Sequence, residues 1–181
     1  ARKVAEHRWL EVYQQAGRKA LAGYLGTPLE TNFAEVNAIL ADFHGGADAL
    51  MVGGMTSEFI TLEAAERRVL LESFVQAVDG RVPVIAHIGH VGRHAAARLA
   101  GHAQDVGADA TTAIAPYYHR VTEPALEHYF ATLARATPDL PFFVYNYPGT
   151  TGNPVPFEVF ESLLELPNVA GAKHSVGTFE E

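Results

Sequence analysis

An α/β fold built from parallel βα units is predicted by three observations. Short apolar runs alternate with longer stretches of helical periodicity. The runs lack strict alternation, which is how strands buried on both faces read. Glycine or proline bounds each run. The runs cover 20–25, 47–53, 82–88, 108–115, 141–147 and 169–173.

The elements follow in order. Trp9, Val12, Tyr13, Ala16 and Ala20 form a helical stripe, so 1–19 reads as an N-terminal helical segment that packs through it. The run at 20–25 opens the main domain, which extends over 20–181. Between the first two runs, Phe33, Val36, Ile39, Leu40 and Phe43 are spaced for one helix face. A helix over 62–78 is expected to take Thr61 as N-cap, with Glu63 in its first turn. The alanine-rich stretch 93–106 is a good helix former and ends at Gly107. The stretch 122–136 opens on Thr-Glu-Pro, a helix start, and 157–164 ends before Pro167. Gly46-Ala-Asp-Ala49 and Gly107-Ala-Asp-Ala110 each close a helix and open a strand, so one αβ junction recurs. An open doubly wound sheet and a closed barrel both fit this alternation. No G-x-G-x-x-G follows a strand, which weighs against dinucleotide binding.

At 181 residues the chain is long enough for one domain with a real core. Its net charge of −8 and its lack of any Lys/Arg run argue against a nucleic-acid partner. No apolar stretch approaches the roughly 18 residues of a membrane span, so no membrane partner is expected. Residues 1–15 carry no signal-peptide core. The chain begins without methionine, so its true start is expected upstream. With no cysteine, disulfide and thiolate chemistry are both excluded, and a reducing, cytoplasmic setting is expected.

Lysine is scarce: Lys3, Lys19 and Lys173 only. Lys173 ends the run VAGAK, where burial would lower its pKa and free the amine to attack a carbonyl. A strand-end lysine with its head in water fits the same position. Tyr145 ends the preceding run, one βα unit earlier, so parallel neighbours bring both residues to one rim. A phenol there can move a proton, or it can be a core tyrosine with a satisfied hydroxyl. After the second run comes Gly53-Gly-Met-Thr-Ser-Glu58, whose N–H groups and Thr56 and Ser57 hydroxyls could hold a carboxylate. Pro116-Tyr117-Tyr118 ends the fourth run at the same rim.

Taken in order, Gly54-Met-Thr-Ser-Glu58, Pro116-Tyr-Tyr118, Tyr145-Asn-Tyr-Pro148 with Thr151-Gly152, and Gly171-Ala-Lys173 resemble one family. It is the dihydrodipicolinate synthase and N-acetylneuraminate lyase family of class I, Schiff-base, pyruvate-type aldolases. The resemblance implies a (β/α)8 TIM barrel in a homo-oligomer, a dimer or tetramer, working without metal or organic cofactor. It implies that Lys173 forms an imine with a 2-oxo acid and that Tyr145 moves protons beside it. It also implies that Thr56 and the loop around Met55 and Ser57 bind the substrate carboxylate. Tyr118 matches the tyrosine that approaches a neighbouring subunit's site.

Three positions depart from the pattern. Met55 stands where synthase-type members carry a threonine, and a thioether relays no proton. Ser57 replaces a glycine before Glu58. Thr150 stands where synthases carry an arginine for the incoming carboxylate, and threonine makes no bidentate contact. A lyase or aldolase acting on a sugar acid or another 2-oxo acid is therefore expected, ahead of a true dihydrodipicolinate synthase.

Two other readings follow from the residues. His87, His90, His119 and His174 fall near strand ends and could serve a metal-dependent aldolase. Met55 and the chain's length would also suit a catalytically inactive barrel fragment or binding protein. Six runs supply six strands, whereas a whole barrel needs eight in about 250 residues. The chain is therefore expected to be a fragment or to be completed by a partner, because two unpaired strand edges would expose part of the interior.

Overall fold

A computed structural model describes residues 48–175, apart from the side chain of Thr56. The expected helical segment 1–19, the strand 20–25 and the helix over 33–43 lie outside the described residues. Two compact units divide the chain, Ala1–Val84 and Ile85–Glu181.

The first unit holds strand β1 (Leu50–Val52), two 3-10 turns (Met55–Ser57 and Phe59–Thr61) and helix α1 (Ala64–Val78). The Leu50 N–H donates to the Pro83 carbonyl at 2.8 Å, which pairs β1 with the segment leading into the next strand. Thr61 is not the cap of α1. Its hydroxyl is spent on the Glu58 carbonyl, at 2.8 Å, closing the second turn. Glu63 is the N-cap instead, and its N–H donates to the Glu66 carboxylate at 2.7 Å in a reciprocal box. At the other end the Arg81 guanidinium donates to the Ala77 and Val78 carbonyls, which α1 leaves without partners.

The second unit carries four strands in parallel sequence. These are β2 (Val84–His87, from Ile85 onward), β3 (Ala110–Ile114), β4 (Phe142–Asn146) and β5 (Val169–His174). Helix α2 (Arg93–Asp105) joins β2 to β3, and α3 (Glu123–Ala136) joins β3 to β4. A short α4 (Pro148–Thr151) and α5 (Phe157–Leu163) lead to β5. Parallel neighbours need such crossovers, and helices on the faces bury the strands. All five residues of β3 are buried, which is why its sequence shows no alternation. The junction after α2 is as the glycine predicted. Gly107 has φ 84°, and the Gly107 and Ala108 N–H groups donate to the Gln104 and Ala103 carbonyls. That is the bond pattern of a Schellman stop.

Phe130 and Phe142 form the centre of the unit, both wholly buried with ring centroids 6.4 Å apart. Leu126, Leu133, Val144 and Leu163 are buried as well, and Ile114 is buried on the opposite face of the sheet. Each such side chain is worth about 1.5–3 kcal/mol on leaving water. Buried hydroxyls are satisfied locally. Thr112 donates to the Phe143 carbonyl at 2.9 Å, and Thr111 meets Thr137 at 3.3 Å. Among the described residues no helix is long and apolar enough to cross a membrane.

One side chain ties α3 to the start of β5. The Asn168 amide donates to the carbonyls of Ala134, Thr137 and Leu140, at 2.8, 2.8 and 3.2 Å. Asn168→Ala removes those donors and is expected to lower the unfolding free energy by about 1–3 kcal/mol, read by denaturant titration. A loss below the error of that titration would mean that water replaces the amide without cost.

Candidate active site

The sheet register decides which side chains meet. Residues opposite one another in parallel strands share a face, and the face alternates along each strand. His87, Thr112, Phe143 and Gly171 form one row across β2 to β5, and Ile114, Tyr145 and Lys173 form a row above it. Between Phe142 and Phe143 the β4–β5 pairing shifts by one residue, since Phe142 opposes Val169 while Phe143 opposes Gly171. Without that slip Tyr145 would oppose Ala172, and Lys173 would face the other side of the sheet.

The slip brings the two predicted chemical groups together. The Lys173 Nζ lies 3.6 Å from the centroid of the Tyr145 ring. It also donates to the Ser175 Oγ at 3.0 Å. The Tyr145 phenol hydrogen-bonds the same Ser175 side chain. Ser175 is fixed in turn, because its N–H donates to the Asn146 carbonyl at 2.9 Å, one step beyond the end of β5. Among the described residues no carboxylate pairs with the Lys173 amine.

Both groups titrate away from their ordinary values. Burial lowers the Lys173 amine from 10.5 to about 8. Lys173 as a whole residue is nonetheless exposed. Burial raises the Tyr145 phenol, against the lowering effect of the Ser175 hydrogen bond, and nearby Tyr147 raises it further. Tyr145 is 3% exposed and its ring stacks on that of Tyr147 at 6.1 Å. At neutral pH the phenol therefore keeps its proton, and about a tenth of the amine lacks one. That combination can attack a carbonyl carbon and protonate its oxygen.

His87 stands edge-on to Tyr145, with ring centroids 6.2 Å apart. Its Nε2 accepts the Ile114 N–H at 3.2 Å, so in the neutral ring the proton sits on Nδ1. Glycine at position 89 is a steric necessity here, since a Cβ would come within 2.8 Å of His87 Nε2. The other histidines of the metal reading are dispersed. His90 Nδ1 accepts the Gly92 N–H at 2.9 Å, and His119 packs on Tyr118. His174 meets Asn146 at 3.1 Å, and position 174 alternates away from the face of Lys173. Among the described residues no three His, Cys, Asp or Glu side chains are grouped to hold a metal ion.

The remaining predicted residues sit outside the strands. Tyr118 has φ 80° and is 87% exposed, with its ring against His119 at 4.5 Å. A buried residue that sequence reasoning missed holds this loop. The Asn153 amide donates to the Pro116 and His119 carbonyls at 2.8 and 2.7 Å, and its Oδ1 accepts the Val121 N–H at 3.0 Å. An asparagine between Gly152 and Pro154 reads only as a turn, so its reach across 34 residues had no signal. Thr150 is exposed in α4, and the Arg120 Nε lies near the neighbouring Gly152 turn. A cation therefore stands beside the turn that lacks an arginine at 150. Met55 and Ser57 are half-buried in the first 3-10 turn, where the Ser57 N–H donates to the Gly54 carbonyl at 3.1 Å. The Thr56 side chain lies outside the description.

Comparison with known proteins follows the same lines. The model of the dihydrodipicolinate synthetase family matches residues 32–181. A 4-hydroxy-tetrahydrodipicolinate synthase of Halorhodospira halophila is 38% identical over 143 residues, covering 78% of this chain and 47% of its own. A probable 2-dehydro-3-deoxy-D-pentonate aldolase of Escherichia coli is 39% identical over 140 residues, covering 76% of this chain and 46% of its own. A catalytic lysine mutant of the Ruminococcus gnavus sialic acid aldolase superposes with a TM-score of 0.78 at 27% identity, covering 84% of this chain and 49% of that one. The chain thus spans about half the length of the relatives it matches.

The lowered amine pKa makes a direct prediction. Acylation of Lys173, followed by mass spectrometry, should reach half its maximal rate near pH 8 rather than near 10.5. The unfolded chain holds this proton to higher pH than the folded one. Lys173 therefore costs stability below about 8, and the cost disappears as pH rises from there toward 10.5. A midpoint at the ordinary value would show that the amine is fully solvated.

Proposed function

The chain belongs to the dihydrodipicolinate synthetase family, and from that premise we propose a class I lyase or aldolase whose Lys173 forms a Schiff base with a 2-oxo acid. The observation that carries the reading is the placement of the Lys173 Nζ 3.6 Å from the Tyr145 ring, with both groups bound to Ser175. The whole protein is a (β/α)8 barrel in this reading, of which the described strands form part.

The chemistry follows from the lowered amine and the raised phenol. The neutral amine adds to the ketone carbon of the 2-oxo acid. Tyr145, still protonated, delivers a proton to the developing alkoxide, and water leaves to give the imine. The protonated imine accepts the electron pair of the C–C bond one carbon further out. The hydroxyl on the departing carbon passes its proton to the Tyr145 oxygen, an aldehyde leaves and an enamine remains. Protonation of that enamine and hydrolysis regenerate the amine. The imine is itself the electron sink, so the sequence needs no metal or organic cofactor. Dehydration of a sugar acid uses the same enamine, with hydroxide as the leaving group.

The carboxylate of the 2-oxo acid falls to Thr56 and the N–H groups of the loop holding Met55 and Ser57. Met55 offers no proton there, so protons pass by another route than a hydroxyl at 55. Thr150 offers no fork for a second carboxylate, which favours sugar-derived 2-oxo acids over an amino-acid semialdehyde. The two named relatives, a synthase and a sugar-acid aldolase, bracket that choice. Tyr118, exposed on a strained backbone, suits contact with a second copy in a dimer or tetramer. An enzyme of this kind works on soluble acids in the cytoplasm.

Incubating the full-length protein with pyruvate and borohydride should leave a reduced adduct on the peptide containing Lys173. Lys173→Ala should abolish it. Tyr145→Phe should slow turnover by about 10²–10⁴-fold while leaving the amine able to react. An adduct surviving in Lys173→Ala would assign the chemistry to another amine. No adduct in a folded wild-type protein would leave a barrel that binds without turning over.

A further inference from the structure

We propose that Ser175 is a positioning residue that couples the Lys173 amine to the Tyr145 phenol and carries a proton between them. This rests on the Schiff-base reading above and names a route for its proton. Position 175 lies two residues beyond Lys173, so continued strand spacing returns it to the same face of the sheet. Its N–H bond to the Asn146 carbonyl continues the β4–β5 pairing by one step and fixes where the hydroxyl stands. The Oγ then accepts from Lys173 Nζ at 3.0 Å and bonds the Tyr145 phenol. A hydroxyl has one proton to give and two lone pairs to offer, so it can serve both neighbours at once.

The choice of a hydroxyl has a consequence for the amine. A carboxylate at the same point would hold Nζ charged, because an opposite charge within a few ångströms favours the ammonium. Serine orients the amine without opposing its deprotonation. The other groups facing the pair are the Tyr147 ring, stacked on Tyr145, and the His87 ring, edge-on to it.

Addition of Nζ to the ketone forms the N–C bond and leaves a positive nitrogen and an alkoxide. The nitrogen passes a proton to Ser175 Oγ, and Oγ passes its own to the Tyr145 oxygen. The phenol's original proton goes to the alkoxide. A neutral carbinolamine results, and both side chains end as they began.

The test uses the full-length protein with pyruvate and borohydride, comparing wild type with Ser175→Ala, Ser175→Thr and Ser175→Cys. Ser175→Ala is expected to form the Lys173 adduct roughly 10- to 100-fold more slowly, with the pyruvate concentration for half-maximal rate little changed. Ser175→Thr, which keeps the hydroxyl, should restore the rate to within a few-fold. Ser175→Cys keeps the size but has a poor hydrogen-bonding group, so it should be slow as well, and it decides the matter if the alanine variant does not fold. Unchanged trapping in Ser175→Ala or Ser175→Cys overturns the role of Ser175 and leaves the lysine chemistry standing. A slow Ser175→Thr, or a loss that appears only as weaker pyruvate binding, also overturns it. No adduct in folded wild type removes the Schiff-base reading itself, and this proposal with it.

Discussion

Between Phe142 and Phe143 the pairing of β4 with β5 slips by one residue, and the chemistry of the second unit depends on that slip. Side chains on a strand alternate between faces, so a shift of one exchanges the two sets. With the slip, Lys173 opposes Tyr145 and the amine comes to rest by the phenol ring. Without it, the same residues in the same order would place the amine on the opposite face, among the outer apolar side chains. The Asn168 clamp on α3 and the Phe142 N–H bond to the Asn168 carbonyl at 2.7 Å set the position from which β5 departs.

Above the slip, the surroundings of the amine are neutral. An aromatic face and a hydroxyl lie beside it, and a second tyrosine ring stacks on the first. The ring face attracts an ammonium by about 0.5–1 kcal/mol at an exposed site, and desolvation works the other way. The net outcome is an amine near 8, close enough to neutrality to react and basic enough to form a protonated imine. Tyr145 moves the opposite way from a phenolate, since burial keeps its proton in place. One desolvated corner thus tunes a nucleophile and an acid in complementary directions, which is the usual sign of acid–base assignment in a site.

Much of this was legible in the sequence. The runs at 82–88, 108–115 and 141–147 contain the observed strands because residues buried on both faces are apolar without alternation, and the run 169–173 holds all of the last strand but His174. Gly107 announced its helix stop because a left-handed residue is needed there. Lys173 and Tyr145 were legible as a pair through their places at the ends of successive strands. The register slip had a trace in Gly171, since a glycine inside a strand often marks a bulge, but a glycine alone does not say by how much the pairing shifts. Thr61 misled because its hydroxyl had a nearer partner in the Glu58 carbonyl than the helix it precedes. Ser175 left a usable trace, since a spacing of two on a strand means a shared face. Asn153 left none, as its partners lie in another loop.

In the proposed mechanism the Lys173 amine and the Tyr145 phenol act on one bound carbonyl, and a crystal structure of the full-length protein soaked with pyruvate would reveal that arrangement. Continuous density from Lys173 Nζ to the ketone carbon, with the Tyr145 oxygen in hydrogen-bond reach of that junction, is the predicted result. Pyruvate bound elsewhere, with β5 in register with β4 throughout and Lys173 turned to the other face, would contradict it.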